Sequence, residues 1–237
     1  MEVLNKTLAA IEPQSAEYRR KAEVHIYDLT MPRWALGRLL DLAVDLAGMT
    51  RSLQIPVRQK HIVLFAGDHG VVAEGVTPQP QEVTCQMIYN FVHGGAGINA
   101  LAANADAMLT VVDIGVAGDL GDLVKAGQII SARVANGTAN FTKEPAMSRE
   151  QAIQALEAGI AVAERFAPGT DVFGTGEMGI GNTTPSSAII AVLTGITDLT
   201  GLVDRGAGLP GDQLPHKIEI IRRGIELNKP NPADGID

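Results

Sequence analysis

Three short stretches of the chain are apolar on both faces, and they constrain the fold more than any other feature. Residues 62–66, 108–114 and 171–173 form these runs, and each ends at a glycine with one or two polar side chains nearby. A run of this length with no polar face is typical of a strand buried inside a parallel sheet. We therefore predict three interior parallel strands, and a fourth strand over residues 128–134.

Segments with helical periodicity lie between and around these runs. Ser15 is placed to begin one helix, and Ser148 has Gln151 three residues later, which is capping-box spacing. Asp212 is predicted to cap the last helix, which Pro230 ends. Alternating strands and helices predict an α/β fold, a Rossmann-like parallel sheet flanked by helices, with ligands at the carboxyl ends of the strands. The predicted helices cover residues 15–30, 33–48, 82–92, 97–103, 148–166 and 185–194, and the segment from Asp212 to Pro230.

Charge and cysteine content exclude several classes of partner. The net charge is −8 and the 19 Lys and Arg residues form no run, so we expect binding neither to nucleic acid nor to an anionic membrane. Cys85 is the single cysteine, which rules out a disulfide within the chain and favours a cytoplasmic protein. No apolar run reaches the length of a membrane span.

A short glycine motif opens one alternative. Residues 174–179 match G-x-G-x-x-G after a strand and before a helix, the pattern of dinucleotide-binding proteins, and Asp198 lies near the spacing of a ribose-binding acid. Two strand–helix units precede the motif, however, and Glu177 inside it would face the pyrophosphate. A dehydrogenase that binds NAD is therefore the weaker hypothesis.

Longer strings in the sequence are more specific. In their order and spacing they resemble the nicotinate-nucleotide:dimethylbenzimidazole phosphoribosyltransferase family, and the resemblance covers essentially all 237 residues. The strings are Gly67-Asp68-His69-Gly70-Val71, Glu74-Gly75-Val76, Gln81-Glu82-Val83-Thr84, Gln86-Met87, Asn90-Phe91, Gly94-Gly95-Ala96, the run from Gly176 to Thr184, Arg205-Gly206 with Gly208, and Lys217.

The resemblance implies an activity and an organisation. A benzimidazole nitrogen attacks C1′ of nicotinate mononucleotide, nicotinate leaves, and α-ribazole 5′-phosphate forms for the lower ligand of cobalamin. Neither a metal nor a cofactor is implied. Residues 1–50 are expected to be a helical segment of a small subdomain, residues 51–237 the parallel α/β domain, and the intact enzyme a homodimer.

Chemistry and resemblance together suggest the residues that bind nicotinate mononucleotide. Glu177 is the candidate to contact the ribose or to stabilise its positive charge, and the alternative is a carboxylate that orders the loop by accepting from backbone N–H groups. Lys217 would be a point charge on the phosphate, or else a solvated helix lysine. Arg205 belongs to the same motif but could instead pair with Asp204. The remaining predicted contacts are Gly179, Gly181, Asn182, Thr183, Gly206 and Gly208, where glycine permits close backbone approach and Thr183 can donate to phosphate.

A second group of residues is assigned by resemblance to the slot for the flat benzimidazole. Pro78, Gln79 and Gln86 lie in that segment, although Gln86 could equally be a surface residue of its helix. Asp68 and His69 follow the first strand, and we expect them to hold the loop together and not to act as a base.

One part of the family pattern has no counterpart in the sequence. The family's general-base glutamate lies in a Gly-Glu-Gly segment near the C-terminus, and no such segment occurs up to Asp237. We therefore expect residues 1–237 alone to transfer phosphoribose slowly or not at all. The alternative function is a module that binds the nucleotide or a benzimidazole without turnover.

Overall fold

The computed structural model describes all 237 residues, and most of the chain is built on one parallel sheet. Its strands are β1 (Lys60–Gly67), β2 (Ala107–Gly115), β3 (Ile130–Ser131) and β4 (Val172–Met178). They are arranged in the order β3-β2-β1-β4, and every neighbouring pair is parallel. The predicted α/β fold with a parallel sheet is confirmed.

A separate helical unit extends from Glu2 to Gln59. It contains α1 (Glu2–Ala10), α2 (Ala16–Asp28) and α3 (Arg38–Thr50). Ser15 caps α2 as predicted, since its side chain accepts a hydrogen bond from the backbone N–H of Tyr18. α3 begins five residues later than predicted, because Trp34 and Gly37 have φ values of 54° and 53°, outside the helical region. Buried residues from α2 and α3 form the core of the unit: Ala22, Ile26, Leu40, Val44 and Ala47.

The second unit, which holds the sheet, extends from Lys60 to Asp237. In this unit the predicted capping box at Ser148 and Gln151 is confirmed, with each side chain bonded to the other residue's backbone. None of the helices in the structure is long and apolar enough for a membrane span. The helices of this unit are α4 (Glu82–Val92), α5 (Gly97–Asn104), α6 (Gly121–Lys125), α7 (Arg149–Phe166), α8 (Thr183–Thr194) and α9 (Leu214–Asn228).

β1 and β2 are buried by helices on both faces, which explains their continuous apolar runs. On one face Leu64, Ala66 and Val111 pack with residues of α4, including Ile88 and Phe91. On the other face Val63 and Val112 pack against Val162 of α7. Because successive side chains of a strand point to opposite faces, β1 and β2 need apolar residues at nearly every position.

The prediction for residues 171–173 is wrong in two respects. β4 lies at an edge of the sheet, and Val172 and Phe173 remain 40% and 39% exposed. The strand also continues to Met178, paired in unbroken register with β1, where a loop was expected. Pairing with β1 keeps this segment extended, and Gly176 fits there because Ile98 of α5 and Leu64 lie about 3.5 Å from the position of its missing Cβ.

Two smaller predictions also differ from the structure. β3 has only two residues, although the backbone N–H groups of Ala132 and Val134 still donate to the carbonyls of Asp113 and Ile114 on β2. Asp212 does not cap α9. It lies in a 3-10 turn, and α9 begins with Pro215 in its first turn, where the fixed φ and missing N–H of proline suit a helix start.

Candidate active site

The carboxyl ends of β1 and β4 meet in a tight backbone contact. A Cβ on Gly179 would lie 2.3 Å from the carbonyl oxygen of Gly67 and 2.9 Å from Nε2 of His69. No other residue fits there without moving backbone, so glycine at this position sets the path of the turn between β4 and α8.

The turn is closed on its other side by the segment between β1 and α4. Gly181 has φ +82°, and a Cβ there would lie 2.7 Å from Cγ2 of Val72. The buried hydroxyl of Thr84 accepts a hydrogen bond of 3.0 Å from the backbone N–H of Ile180. The turn therefore has a fixed backbone that leads into the N-terminus of α8, a location that favours anions.

Lys217 of α9 reaches this helix start from a buried position. Its side chain is 1% exposed, and Nζ donates to Oγ1 of Thr183 at 2.7 Å and to the backbone carbonyl of Asp204 at 3.0 Å. Burial lowers the pKa of the Lys217 ammonium, and the Asp204 charge partly offsets that effect. An ammonium carries three N–H donors, so two acceptors leave one donor for an anion. The alternative of a solvated helix lysine is wrong.

The Arg205–Gly208 segment passes beside this ammonium. Gly206 has φ +49°, and a Cβ there would lie 2.8 Å from Oγ1 of Thr183 and 3.3 Å from Nζ of Lys217. The Asp204 carboxylate accepts from the Gly206 N–H at 2.8 Å, which closes a short turn. Arg205 makes no ion pair with Asp204. Its Nε donates to the carbonyl of Leu209 at 2.6 Å.

Glu177 extends from β4 near the start of α8. It is exposed, and its carboxylate accepts a hydrogen bond from the side-chain amide of Asn182. Its place in a strand also weakens the dinucleotide hypothesis, which needs Gly174 and Gly176 in a phosphate loop, whereas both lie in β4.

The structure brings some of the predicted site residues into contact with one another, and others lie elsewhere. Hydrogen bonds and close approaches connect the group formed by Glu177, Asn182, Thr183, Gly206 and Lys217, which we call the phosphate-side cluster. The predicted slot residues form a second group, in which Pro78 and Gln79 lie in the connection before α4, Gln86 lies on α4, and all three are exposed. No hydrogen bond connects Arg205 or Gly208 to the cluster.

Asp68 and His69 hold the loop after β1, as expected. The buried Asp68 carboxylate accepts from the Ala117 N–H at 2.8 Å, and its backbone N–H donates to the carbonyl of Gly115 at 2.9 Å. Burial lowers the pKa of His69, and the charge of Asp68 partly offsets that effect. A neutral imidazole therefore packs beside Gly179.

Sequence reasoning missed the residue that anchors the connection before α4. No role was predicted for Glu74, although it belongs to one of the family strings. Its carboxylate accepts from Asn140 and from Arg223, which are 66 and 149 residues away. No local pattern could have found these partners, because only the fold brings them together.

Comparison with known proteins agrees with this geometry. A family model described as Phosphoribosyltransferase matches residues 11–237. The nicotinate-nucleotide–dimethylbenzimidazole phosphoribosyltransferase of Syntrophotalea carbinolica is 55% identical over all of this chain and 67% of its own length. The enzyme of the same name from Desulfotalea psychrophila is 51% identical over all of this chain and 66% of its own length.

Solved structures give the same result for the fold. A crystal structure of CobT from Thermus thermophilus has 39% identity and a TM-score of 0.84, and the match covers 92% of this chain and 64% of that one. The chain thus spans about two thirds of the length of the relatives it matches. On the family match and these identities, the chain belongs to the nicotinate-nucleotide–dimethylbenzimidazole phosphoribosyltransferase family.

Proposed function

We propose that the protein transfers the phosphoribosyl group of nicotinate mononucleotide to 5,6-dimethylbenzimidazole. The products are nicotinate and α-ribazole 5′-phosphate, a step in the synthesis of the lower ligand of cobalamin. The observation that carries the proposal is the buried Lys217 ammonium, which lies at the start of α8 beside Thr183 and Gly206 in a member of this family.

In this proposal the phosphate of nicotinate mononucleotide binds at the start of α8. The Lys217 ammonium has a donor to spare, and the Thr183 hydroxyl and the backbone N–H groups of Gly181 and Thr183 are suited to a phosphate dianion. Because Lys217 is already desolvated, little additional desolvation is needed when the anion binds. Arg205 and Gly208 would shape the turn around Gly206.

Glu177 would act on the ribose. The bond from C1′ to the pyridinium nitrogen breaks as the benzimidazole nitrogen bonds to C1′, and the electrons of the broken bond neutralise the pyridinium. Positive charge develops on the ribose in the transition state, and a carboxylate nearby stabilises that charge. The hydrogen bond from Asn182 orients the Glu177 carboxylate for this role.

The benzimidazole would occupy the slot formed by Pro78, Gln79 and Gln86. A flat, neutral, apolar ring needs apolar walls and a few polar groups that fix its orientation. Proline offers a rigid wall and the two glutamines offer amide groups. The ring proton of the base leaves as the new bond forms, and the family resemblance implies a glutamate in a Gly-Glu-Gly segment as its acceptor.

We further propose a cytoplasmic homodimer that needs no metal or cofactor. Sedimentation of the purified protein at the full length its gene encodes is expected to give a dimer. A monomer over a wide range of concentrations would contradict this proposal.

The proposed function predicts an effect of Glu177→Gln on turnover. The amide oxygen of glutamine can still accept from Asn182, so the substitution removes the charge and little else. We expect kcat to fall about tenfold while the affinity for nicotinate mononucleotide stays nearly constant, because the lost interaction is strongest in the transition state. The assay is chromatographic detection of α-ribazole phosphate formed from the two substrates by the protein at the full length its gene encodes.

Glu226→Gln, at an exposed position of α9, is the matched control and should leave kcat unchanged. An unchanged kcat in Glu177→Gln would refute the electrostatic role of that residue. Tight binding of both substrates without any product from the unmodified protein would support the binding module over the enzyme.

A further inference from the structure

We propose that Glu74 is a positioning residue, which holds the benzimidazole slot in register with the phosphate-side cluster. The inference rests on the proposed function, because that function defines the slot. Glu74 lies in neither group of predicted site residues. It ends the 3-10 turn Gly70–Glu74, which follows β1 and leads directly into the slot segment.

The Glu74 side chain is held at both carboxylate oxygens. Oε1 accepts from Nδ2 of Asn140 at 2.7 Å, and Oε2 accepts from Nη2 of Arg223 on α9. The side chain is only 15% exposed. The bond from Asn140 and the neighbouring Arg223 lower the pKa of Glu74, so the carboxylate stays ionised at neutral pH.

The partners of Glu74 are themselves fixed. Arg223 also donates to Oγ1 of Thr142 at 3.0 Å, and that hydroxyl donates to Oδ1 of Asn140 at 2.8 Å. Four side chains therefore form a closed ring of hydrogen bonds. Such a ring restricts Glu74 more than a single surface ion pair would, because no member can move without breaking two contacts.

Helix α9 holds the backbone of Glu74 as well. Nε2 of His216 lies 2.6 Å from the Glu74 carbonyl oxygen. His216 and Arg223 are seven residues apart, which is two helical turns and places them on the same side of α9. The next residue, Lys217, holds Thr183 and the Asp204 carbonyl. One rigid helix is therefore bonded both to the turn before the slot and to the phosphate-side cluster.

The distance from Glu74 to the slot is short along the chain. Pro78 and Gln79 follow Glu74 by four and five residues. Val72, in the same 3-10 turn, packs against Gly181 of the phosphate turn. A shift of Glu74 would thus move the benzimidazole relative to the ribose. A misplacement of about 1 Å between reacting groups can cost on the order of 100-fold in rate.

Glu74→Gln tests the proposal in the protein at the full length its gene encodes. Glutamine keeps an acceptor for Asn140 but loses the charge that binds Arg223. We expect the KM for dimethylbenzimidazole to rise roughly tenfold and kcat to fall a few-fold, while the dissociation constant of nicotinate mononucleotide changes by less than about twofold. Arg223→Lys keeps a charge and should give an intermediate KM.

Two controls separate positioning from a general loss of structure. Glu219 and Arg222 form an exposed ion pair on the same helix, so Glu219→Gln should change neither KM nor kcat. The double variant Glu74→Gln/Arg223→Gln should be no worse than Arg223→Gln alone, because that single variant already removes the contact between Glu74 and Arg223. Amide hydrogen exchange at residues 75–81 should be faster in Glu74→Gln than in Glu219→Gln.

Two kinds of result would overturn the role of Glu74. Equal losses for both substrates together with a lower unfolding temperature would mean a structural role only, and an unchanged KM for the benzimidazole would mean no role in the slot. If the unmodified protein makes no α-ribazole phosphate, the proposed function fails. The role of Glu74 is then tested by the dissociation constant of dimethylbenzimidazole, measured by calorimetry, and by the amide exchange rates of residues 75–81. If both are unchanged in Glu74→Gln, the role of Glu74 is refuted.

Discussion

Replacing Lys217 by methionine is expected to weaken binding of nicotinate mononucleotide by roughly 1–3 kcal/mol, which is about one to two orders of magnitude in affinity. Methionine is close to lysine in length, so the substitution removes the charge without leaving a large cavity at a site that is 1% exposed. The phosphate loses its cation, and Thr183 loses the donor that fixes its hydroxyl. Titration calorimetry measures the effect.

Lys217→Met should change the stability of the fold less than it changes the affinity for nicotinate mononucleotide. Lys217→Met removes a desolvated charge, and that gain offsets the loss of the donor to Thr183 and to the Asp204 carbonyl, so the unfolding temperature should stay near that of the unmodified protein. Lys125→Met, at an exposed position at the end of α6, is the control and should not alter affinity. Unchanged affinity in Lys217→Met would remove Lys217 from the phosphate site.

The pH dependence of nucleotide binding tests whether the Lys217 ammonium binds the phosphate. Since burial lowers the pKa of Lys217, its charge is lost at a lower pH than that of an ordinary lysine. Phosphate affinity should therefore decline as the pH rises through that lowered pKa. The decline should be absent in Lys217→Met, and a decline of the same size there would contradict the role of the ammonium.

Gly179→Ala is expected to weaken nucleotide binding at least as much as Lys217→Met does. Its Cβ would lie 2.3 Å from the Gly67 carbonyl oxygen, and that neighbour is backbone and cannot rotate away. The ends of β1 and β4 must separate, which displaces the turn into α8. We expect a loss of roughly 1–3 kcal/mol in the free energy of unfolding and a loss of nucleotide affinity of about 100-fold.

Gly159→Ala is the matched control for this substitution. Gly159 lies inside α7, and a Cβ there would meet no atom within 4 Å. Alanine should stabilise the helix by roughly 0.5–1 kcal/mol and leave nucleotide binding unchanged. Thermal unfolding and calorimetry measure both variants. A Gly179→Ala protein with normal stability and affinity would show that the β1–β4 contact does not set the phosphate turn.

The fold class and most helices could be predicted from the sequence because their signals are local. A strand buried on both faces reads as an apolar run, and β1 and β2 lie where such runs occur. The capping box at Ser148 needs only residues three apart. The glycine-rich segment before α8 was predicted as a loop because glycine favours turns, whereas pairing with β1 kept it extended to Met178.

The sequence by itself determined which chemical groups the site can contain. The motif strings include Glu177, Thr183 and Lys217. Because the Lys and Arg residues of the chain form no cluster, an anion must be held by local donors. Composition and periodicity could not tell whether Lys217 is buried or solvated, since a lone lysine on an amphipathic helix is consistent with both.

The tertiary structure decided how these groups are arranged. Lys217 meets Thr183 across 34 residues, and Glu74 meets Arg223 across 149. Contacts over such separations depend on how helices pack on the sheet, and that packing is set by the buried surfaces of all elements together and not by any one segment. For this reason the sequence determined the residues of the candidate site, and only the fold decided which of them touch and that Glu74, outside the predicted site, bonds to Asn140 and Arg223.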